Sequence, residues 1–248
     1  MTHLVSNSRE YQGWQAIAGG SSNQLYLSPD KQQVLRCNAP PPLTFGVDRQ
    51  REAHILELIQ PYPWSVQVID NQVDQGYCLL RAYQPIATTK PLAAAQQQQL
   101  LAAIATWQTI PLSANPVWHI SYPTLLQSYQ EALPRHPDAP AWIKAFLSHW
   151  QALPQLPTVL VHHDLHPGNL CLDGEQLIVL DWEYAGFGNP WFDAVGLCRG
   201  CGIQADAIKA LPIFAGLTQN QWELGLMHAL EAAAYLDRLW FAVREMAG

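Results

Sequence analysis

The sequence predicts an α+β fold, with a small antiparallel β-rich lobe at residues 1–82 and a larger, mainly helical lobe at residues 83–248. Three observations carry this expectation. Short β-branched and aromatic runs separated by turn residues fill the first lobe. Longer segments follow, with apolar residues at three- and four-residue spacing. Inside that helical region, one pair of β-like runs joined by Asp173-Gly174 carries a dense cluster of His, Asp and Asn.

The first lobe opens on a strand, a glycine turn and a second strand from Tyr11 to Leu27 (YQGWQAIAGGSSNQLYL). Ser28-Pro29-Asp30-Lys31 turns the chain into a third strand at Gln33 to Cys37, giving a meander. Ala39 to Pro42 is proline-rich and cannot be a helix interior, since proline removes the amide donor. Asp48 is placed to cap a helix that runs to about Gln60 and stops at Pro61. Its residues Ile55, Leu58 and Ile59 share a face, and Arg49 and Glu52 lie near its start. Two further strands are expected at Ser65 to Asp70 and Gly76 to Ala82, joined by Asn71 to Gln75; Gln84-Pro85 ends the lobe.

In the second lobe Leu92 to Thr109 predicts a helix, because Leu and Ala flank the Gln96-to-Gln99 tract. Tyr122 to Leu133, Pro140 to Ala152, Phe192 to Leu197 and Gln204 to Leu211 are expected helices. Gln219 to Met246 reads as one or two more, with Ala229, Ala233, Leu236, Trp240 and Val243 as a buried stripe.

Composition narrows the class of function. The chain of 248 residues has an ordinary apolar content and a net charge of -7, which does not favour a nucleic-acid partner. Met1 to Ser8 lacks the basic start and apolar core of a signal peptide, and no apolar run reaches membrane-spanning length. Five cysteines without framework spacing fit a reducing cytoplasm. Cys198 and Cys201 form a lone C-x-x-C, read as packing residues.

The chemistry concentrates between Thr158 and Asp193. Two strands around a D-G turn form a hairpin. A loop of two or three residues puts Asn169 opposite Val179 or Leu180, at the same open end as Asp181. Asp164 can accept a proton from a hydroxyl, Asn169 can hold a cation through its amide oxygen, and Asp181 adds a carboxylate. Such oxygen donors suit a hard cation shared with a phosphate. In the first lobe, Gly19-Gly20-Ser21-Ser22-Asn23 would let backbone amides approach phosphates closely. A guanidinium at Arg36 can chelate phosphate oxygens and still pair with Glu52. Aromatic faces beside carboxylates, among them Glu183, Tyr184, Trp191, Tyr235, Asp237 and Trp240, would bind an organic cation.

The pattern H-x-D-L-H-P-x-N at His162 to Asn169, followed by L-D-W-E at Leu180 to Glu183, resembles the aminoglycoside phosphotransferase and choline kinase superfamily. Its members are kinases with the protein-kinase fold. The order of motifs matches from Gly19 to Asp193, and DWEYAGFGNPWFD is especially similar to the choline, ethanolamine and thiamine kinase branch. The resemblance implies that Asp164 is the catalytic base and that Asn169 and Asp181 are Mg²⁺ ligands. His162 would support the loop, and Asp193 would hydrogen-bond its backbone. The segment Ala18 to Tyr26 resembles the nucleotide loop of that branch. Arg36 stands where protein kinases place a strand lysine paired to a helix glutamate, here Glu52. Leu79 to Tyr83, with Leu80 and Ala82, would be the hinge that bonds adenine through its backbone.

The expected activity is transfer of the ATP γ-phosphate, with Mg²⁺, to the hydroxyl of a small cationic alcohol such as choline, ethanolamine or thiamine. An aminoglycoside or sugar acceptor is the alternative. Two readings of another class compete: a metal-dependent phosphohydrolase using His162, His163 and Asp164 as ligands, and a non-catalytic nucleotide-binding protein with a kinase fold.

Overall fold

The computed structural model describes residues 11–17, 23–40, 43–87 and 91–246. Five strands form an antiparallel sheet in the order β1-β2-β3-β5-β4, from β1 (Gln15–Ile17), β2 (Gln24–Leu27), β3 (Gln33–Cys37), β4 (Val68–Gln72) and β5 (Tyr77–Arg81). The β2–β3 turn is fixed by Ser28, whose Oγ accepts from the amides of Gln32 and Gln33, and by Lys31 at φ 59°. β3 is central: Arg36 stands opposite Leu25 on one side and Cys78 on the other, and Leu35, Arg36 and Cys37 are buried. α1 (Arg49–Ile59) starts where Asp48 accepts from the amides of Gln50 and Arg51, both at 3.0 Å. That cap satisfies two of the amides left without partners at a helix start. Ile55, Leu56 and Ile59 form its buried face. The fourth strand begins at Val68 rather than at Ser65, because Ser65 bridges Val179 instead and the β4–β5 register slips between Val68 and Asp70.

The second lobe comprises β6 (Gln84–Pro85), α2 (Ala94–Trp107), α3 (Tyr122–Ala132), α4 (Ala139–Gln151), β7 (Val159–Val161), the hairpin β8 (Leu170–Asp173) and β9 (Gln176–Val179), β10 (Gly186–Gly188), α5 (Trp191–Val195), α6 (Ala205–Lys209) and α7 (Gln219–Glu245). β6 pairs with β8, and β7 with β10. The glutamine tract has structural work. Gln96 Oε1 accepts from the Ala93 amide and Gln97 Nε2 donates to Leu92 O, which completes the start of α2. Gln99 reaches the hairpin, donating to Glu175 O (2.9 Å) and accepting from the Leu177 amide (2.7 Å). Beneath the hairpin the rings of Trp107 and Trp182 meet edge-on at 5.2 Å, and Trp64 packs on Trp182 at 5.8 Å.

α7 is a single helix of 27 residues. Leu236 and Trp240 depart from the predicted stripe and are only partly buried. The buried line is Ala229, Ala232, Ala233, Leu239, Ala242 and Val243, with Gly225 upstream. Small side chains set this packing. A Cβ at Gly225 would lie 2.3 Å from the Trp191 ring, so the bare helix surface there is what admits α5. α5 runs into a wide π turn, Gly196–Gly200, where the sequence predicted helix as far as Leu197. Gly196 and Gly200 of that turn lie directly against Leu165. All five cysteines are free, including Cys198 and the buried Cys201. No helix among the described residues is long and apolar enough to cross a membrane.

β7 ends in His162, which is fully buried. Its Nε2 donates to Leu180 O at 2.8 Å and its Nδ1 accepts from the Asp164 amide at 3.3 Å. The His163 ring stacks on Phe192 with centroids 4.6 Å apart, and its Nε2 is 3.0 Å from the Tyr122 hydroxyl. Burial pushes both imidazoles down to about 4, so the folded protein holds them neutral where the unfolded chain binds protons. Stability contributed here is complete above the ordinary histidine value and is lost as pH falls toward 4, at about 1.4 kcal/mol per pH unit per histidine at most. Urea unfolding between pH 7 and 4.5 should therefore show a steep acid loss, and His163→Phe should flatten the slope. A slope unchanged by that substitution would remove His163 from the account.

A Cβ at Gly200 would lie 2.2 Å from the Leu165 carbonyl oxygen, a backbone atom that cannot swing aside. Gly200→Ala should cost about 1–3 kcal/mol in the same unfolding experiment, the usual range for overpacking.

Candidate active site

The hairpin register settles the geometry. Leu170 pairs with Val179, and the Leu180 amide donates to Asn169 O at 2.8 Å, so Asn169 stands opposite Leu180 and beside Asp181. The turn that permits this has Gly174 at φ 61°. Asn169 is buried, and its Nδ2 donates twice to Asp164: to the main-chain oxygen (2.8 Å) and to Oδ2 (3.0 Å). With its nitrogen so engaged, the amide presents Oδ1 as an acceptor for another ligand. The Asp164 side chain remains 41% exposed, with His166 Nε2 3.7 Å from Oδ2. Desolvation alone would raise the Asp164 carboxyl. Hydrogen bonding and charge from His166, with Asn169, outweigh it and hold the group below its ordinary value, while His166 is raised by the same pairing.

Asp193 lies beneath this loop, almost fully buried. Its Oδ1 accepts from the amides of His162 (3.0 Å) and His163 (3.1 Å), and its Oδ2 accepts from Trp107 Nε1 (3.1 Å). His163 adopts φ 72°, a left-handed backbone uncommon for a residue with a side chain, as the chain leaves this pair of amides. Burial pushes the Asp193 carboxyl up to about 7, against the pull of the donors around it.

Asp181 also has a left-handed backbone, at φ 58°. Its Oδ1 is buried and accepts no hydrogen bond; Arg36 Nη1 stands 3.6 Å away, beyond hydrogen-bonding reach. The side chain as a whole is 28% exposed, so its other oxygen is open to the cleft. Burial first, then the charge of Glu183, push this carboxyl up to about 7 despite Arg36. A buried carboxylate oxygen without a donor, beside an amide oxygen turned outward, fits a hard cation. Among the described residues no three His, Cys, Asp or Glu side chains converge as a preformed metal cage.

On β3, Arg36 makes a forked pair with Glu52 of α1, at 2.5 Å and 2.8 Å, with both residues buried. Burial opposes the arginine charge, but Glu52 and Asp181 more than restore it. Arg49, to which the sequence assigned no role, completes the group: it donates to Glu52 (2.8 Å), to Glu183 (3.0 Å) and to Asn23 Oδ1 (2.9 Å). Its three-residue spacing from Glu52 on a capped helix was the available signal. Gly19, Gly20, Ser21 and Ser22 lie outside the described residues.

Part of the expected hinge is occupied by the chain's own contacts. The Ala82 amide donates to Gln32 O at 2.9 Å and so is not open to a ligand, and Leu80 is enclosed between Val34 of β3 and Val68 of β4. The expected acceptor residues scatter. Glu183 is buried and bound to Arg49 and Asn23, so its charge is already matched. Trp191 is core: fully buried, stacked on Trp222 at 5.3 Å, and donating to Pro154 O. Tyr235 packs against His149 of α4 with Arg238 over its ring, Asp237 pairs with Arg199 at 2.6 Å, and Trp240 has Arg244 over its ring at 4.4 Å. Trp240 Nε1 also donates to the hydroxyl of Tyr184, which lies within the electrostatic reach of Asp164 and Asp181. His162 and His163 are not free to bind metal as the phosphohydrolase reading requires. Both His162 nitrogens are engaged, and His163 is stacked on Phe192 and bonded to Tyr122.

A family model described as "Phosphotransferase enzyme family" matches residues 13–237. No curated protein matches the chain. Among solved structures, choline kinase LicA from Streptococcus pneumoniae is similar at 14% identity, covering 99% of this chain and 90% of that one with a TM-score of 0.73. A choline/ethanolamine kinase family protein from Mesorhizobium loti follows at 16% identity, 98% and 83% coverage and a TM-score of 0.64. The GDP and kanamycin complex of APH(2")-IIia aligns at 14% identity, 95% and 91% coverage and 0.63. The α+β architecture is thus protein-kinase-like, and the chain belongs to the phosphotransferase enzyme family.

Proposed function

We propose that the protein transfers the γ-phosphate of ATP to a hydroxyl of a small-molecule acceptor, with Asp164 as the base. One observation supports this above the others. Asp164, the outward oxygen of Asn169 and the donor-free oxygen of Asp181 are gathered at one end of the hairpin, beside Arg36. Similar structures hold AMP, GDP with kanamycin, and ATP with streptomycin, which supports a nucleotide donor.

In this reading Asp164 receives the acceptor's proton as its oxygen bonds to the γ-phosphorus and the bond to the β-phosphate oxygen breaks, releasing ADP. The low affinity of Asp164 for protons keeps it ready as an acceptor at neutral pH. Asn169 Oδ1 and Asp181 would hold Mg²⁺, which neutralises charge on the moving phosphoryl group. Arg36, fixed by Glu52, would anchor the nucleotide phosphates, and backbone of the Gly19-to-Asn23 loop would cover them. With the chain divided into residues 1–82 and 83–248, the site would lie between a nucleotide lobe and an acceptor lobe. The five cysteines, without framework spacing, support a reducing compartment such as the cytoplasm.

For the acceptor we propose a small cationic alcohol of the choline, ethanolamine or thiamine kind, lodged near Tyr184 and Trp240. The second reading is an aminoglycoside or sugar acceptor, and one observation favours its uncharged member, a neutral hydroxyl-rich sugar. Asp237 already faces Arg199, and the Trp240 ring already carries Arg244, so a quaternary cation would have to displace the chain's own arginines. A coupled ADP-release assay with Mg²⁺ over choline, ethanolamine, thiamine, aminoglycosides and sugars separates them. Asp164→Ala should lower turnover by about 10²–10⁴-fold with nucleotide binding retained, the usual contribution of a positioned base. Near-normal turnover in that variant would exclude Asp164 as the base. Nucleotide binding without turnover on any acceptor would favour the non-catalytic reading.

A further inference from the structure

Asn23 is the first described residue after the glycine-rich segment, yet its side chain does not face an open cleft. Its Nδ2 donates to Glu183 Oε2 at 2.8 Å. Its Oδ1 accepts from Arg49 at 2.9 Å and from the Ala39 amide at 3.2 Å. Glu183 and Arg49 are themselves joined at 3.0 Å, and Arg49 continues to Glu52, which grips Arg36. The partners Asn23 and Glu183 are 160 positions apart in sequence. The side chain that ends the glycine segment is therefore tied to the residue two places beyond Asp181.

We propose that Arg49 and Glu183 are positioning residues that clamp Asn23. The chain at Asn23 is then held to the segment that carries Asp181. Three features carry the assignment. First, both ends of the Asn23 amide are engaged, so its side chain acts as a tether rather than as a phosphate ligand. Second, Glu183 is 4% exposed, and its carboxylate meets two donors at once, a buried anion matched by its partners. Third, Arg49 is forked: one nitrogen serves both glutamates and the other serves Asn23, a geometry that a lysine ammonium cannot reproduce. Removing either partner leaves the other charge buried and the loop end untied.

This inference rests on the phosphotransfer reading, and the test separates the two. Binding of a fluorescent ADP analogue with Mg²⁺ is measured beside steady-state ATP kinetics for the wild type, Asn23→Ala, Glu183→Gln, Arg49→Ala, Arg49→Lys and the double variant Asn23→Ala with Arg49→Ala. Each single variant should weaken ADP binding and raise KM for ATP about tenfold or more, with a smaller loss in kcat. Arg49→Lys should rescue only part of the loss. The double variant should be no worse than Arg49→Ala alone, because both changes open the same clamp. Asn23→Ala removes no buried charge, so it keeps the test valid should Arg49→Ala fail to fold. Unchanged ADP binding in well-folded Asn23→Ala, or fully additive effects in the double variant, would overturn the clamp while leaving phosphotransfer intact. A wild type that binds neither ADP nor ATP would overturn both.

Discussion

The site depends on a single buried carboxylate. Asp193 collects two consecutive main-chain amides from the end of β7 and an indole N–H from α2. At the second of these amides His163 holds a left-handed backbone, a conformation that costs free energy for a residue with a side chain. The hydrogen bonds offset that cost, and the aromatic stack of His163 on Phe192 fixes the ring that follows from it. Asp193 is in turn placed by α5, which can approach α7 because Gly225 has no side chain to meet Trp191. A contact in the far helical core thus reaches Asp164, the proposed base, through one carboxylate and one strained turn.

Charge is distributed with similar economy. Arg36 and Arg49 face Glu52, Glu183 and Asp181, which leaves one negative charge unmatched among these five groups. The shortfall falls on Asp181, whose buried oxygen has no donor. The arrangement therefore prefers a cation at that point without having to reorganise for it. Around Tyr235, Asp237 and Trp240 the balance runs the other way. Arg199, Arg238 and Arg244 cover the acidic and aromatic groups there, so the net charge of -7 is a poor guide to what that surface attracts.

Local features were legible in the sequence. The D-G turn fixed the hairpin register and with it the meeting of Asn169 and Asp181, since a two-residue loop leaves no freedom in pairing. Asp48 announced its helix, and Arg36 and Glu52 were recognisable as partners through the resemblance to the strand lysine and helix glutamate of protein kinases. What escaped was set by distant packing. Nothing around Trp191 distinguishes a core indole from a ligand-binding one; its burial depends on a glycine in a helix that follows by some thirty residues. Glu183 reads as a free acid beside Asp181 until Arg49 and Asn23 arrive from the other lobe. The state of the expected hinge was hidden for a related reason: the Ala82 amide is taken by Gln32 O, across the sheet.

The glutamine that bridges α2 to the hairpin has one more consequence. β9 is the outer strand of its three-stranded sheet, and its far edge carries main-chain groups able to pair with any extended chain. Gln99 meets that edge as a strand would, its amide giving one hydrogen bond to Glu175 O and taking one from the Leu177 amide. Further along, Trp64 O accepts from the Val179 amide. A side chain and a loop thus act as a counterfeit neighbour strand, closing the edge that supports the catalytic hairpin against joining another molecule's sheet.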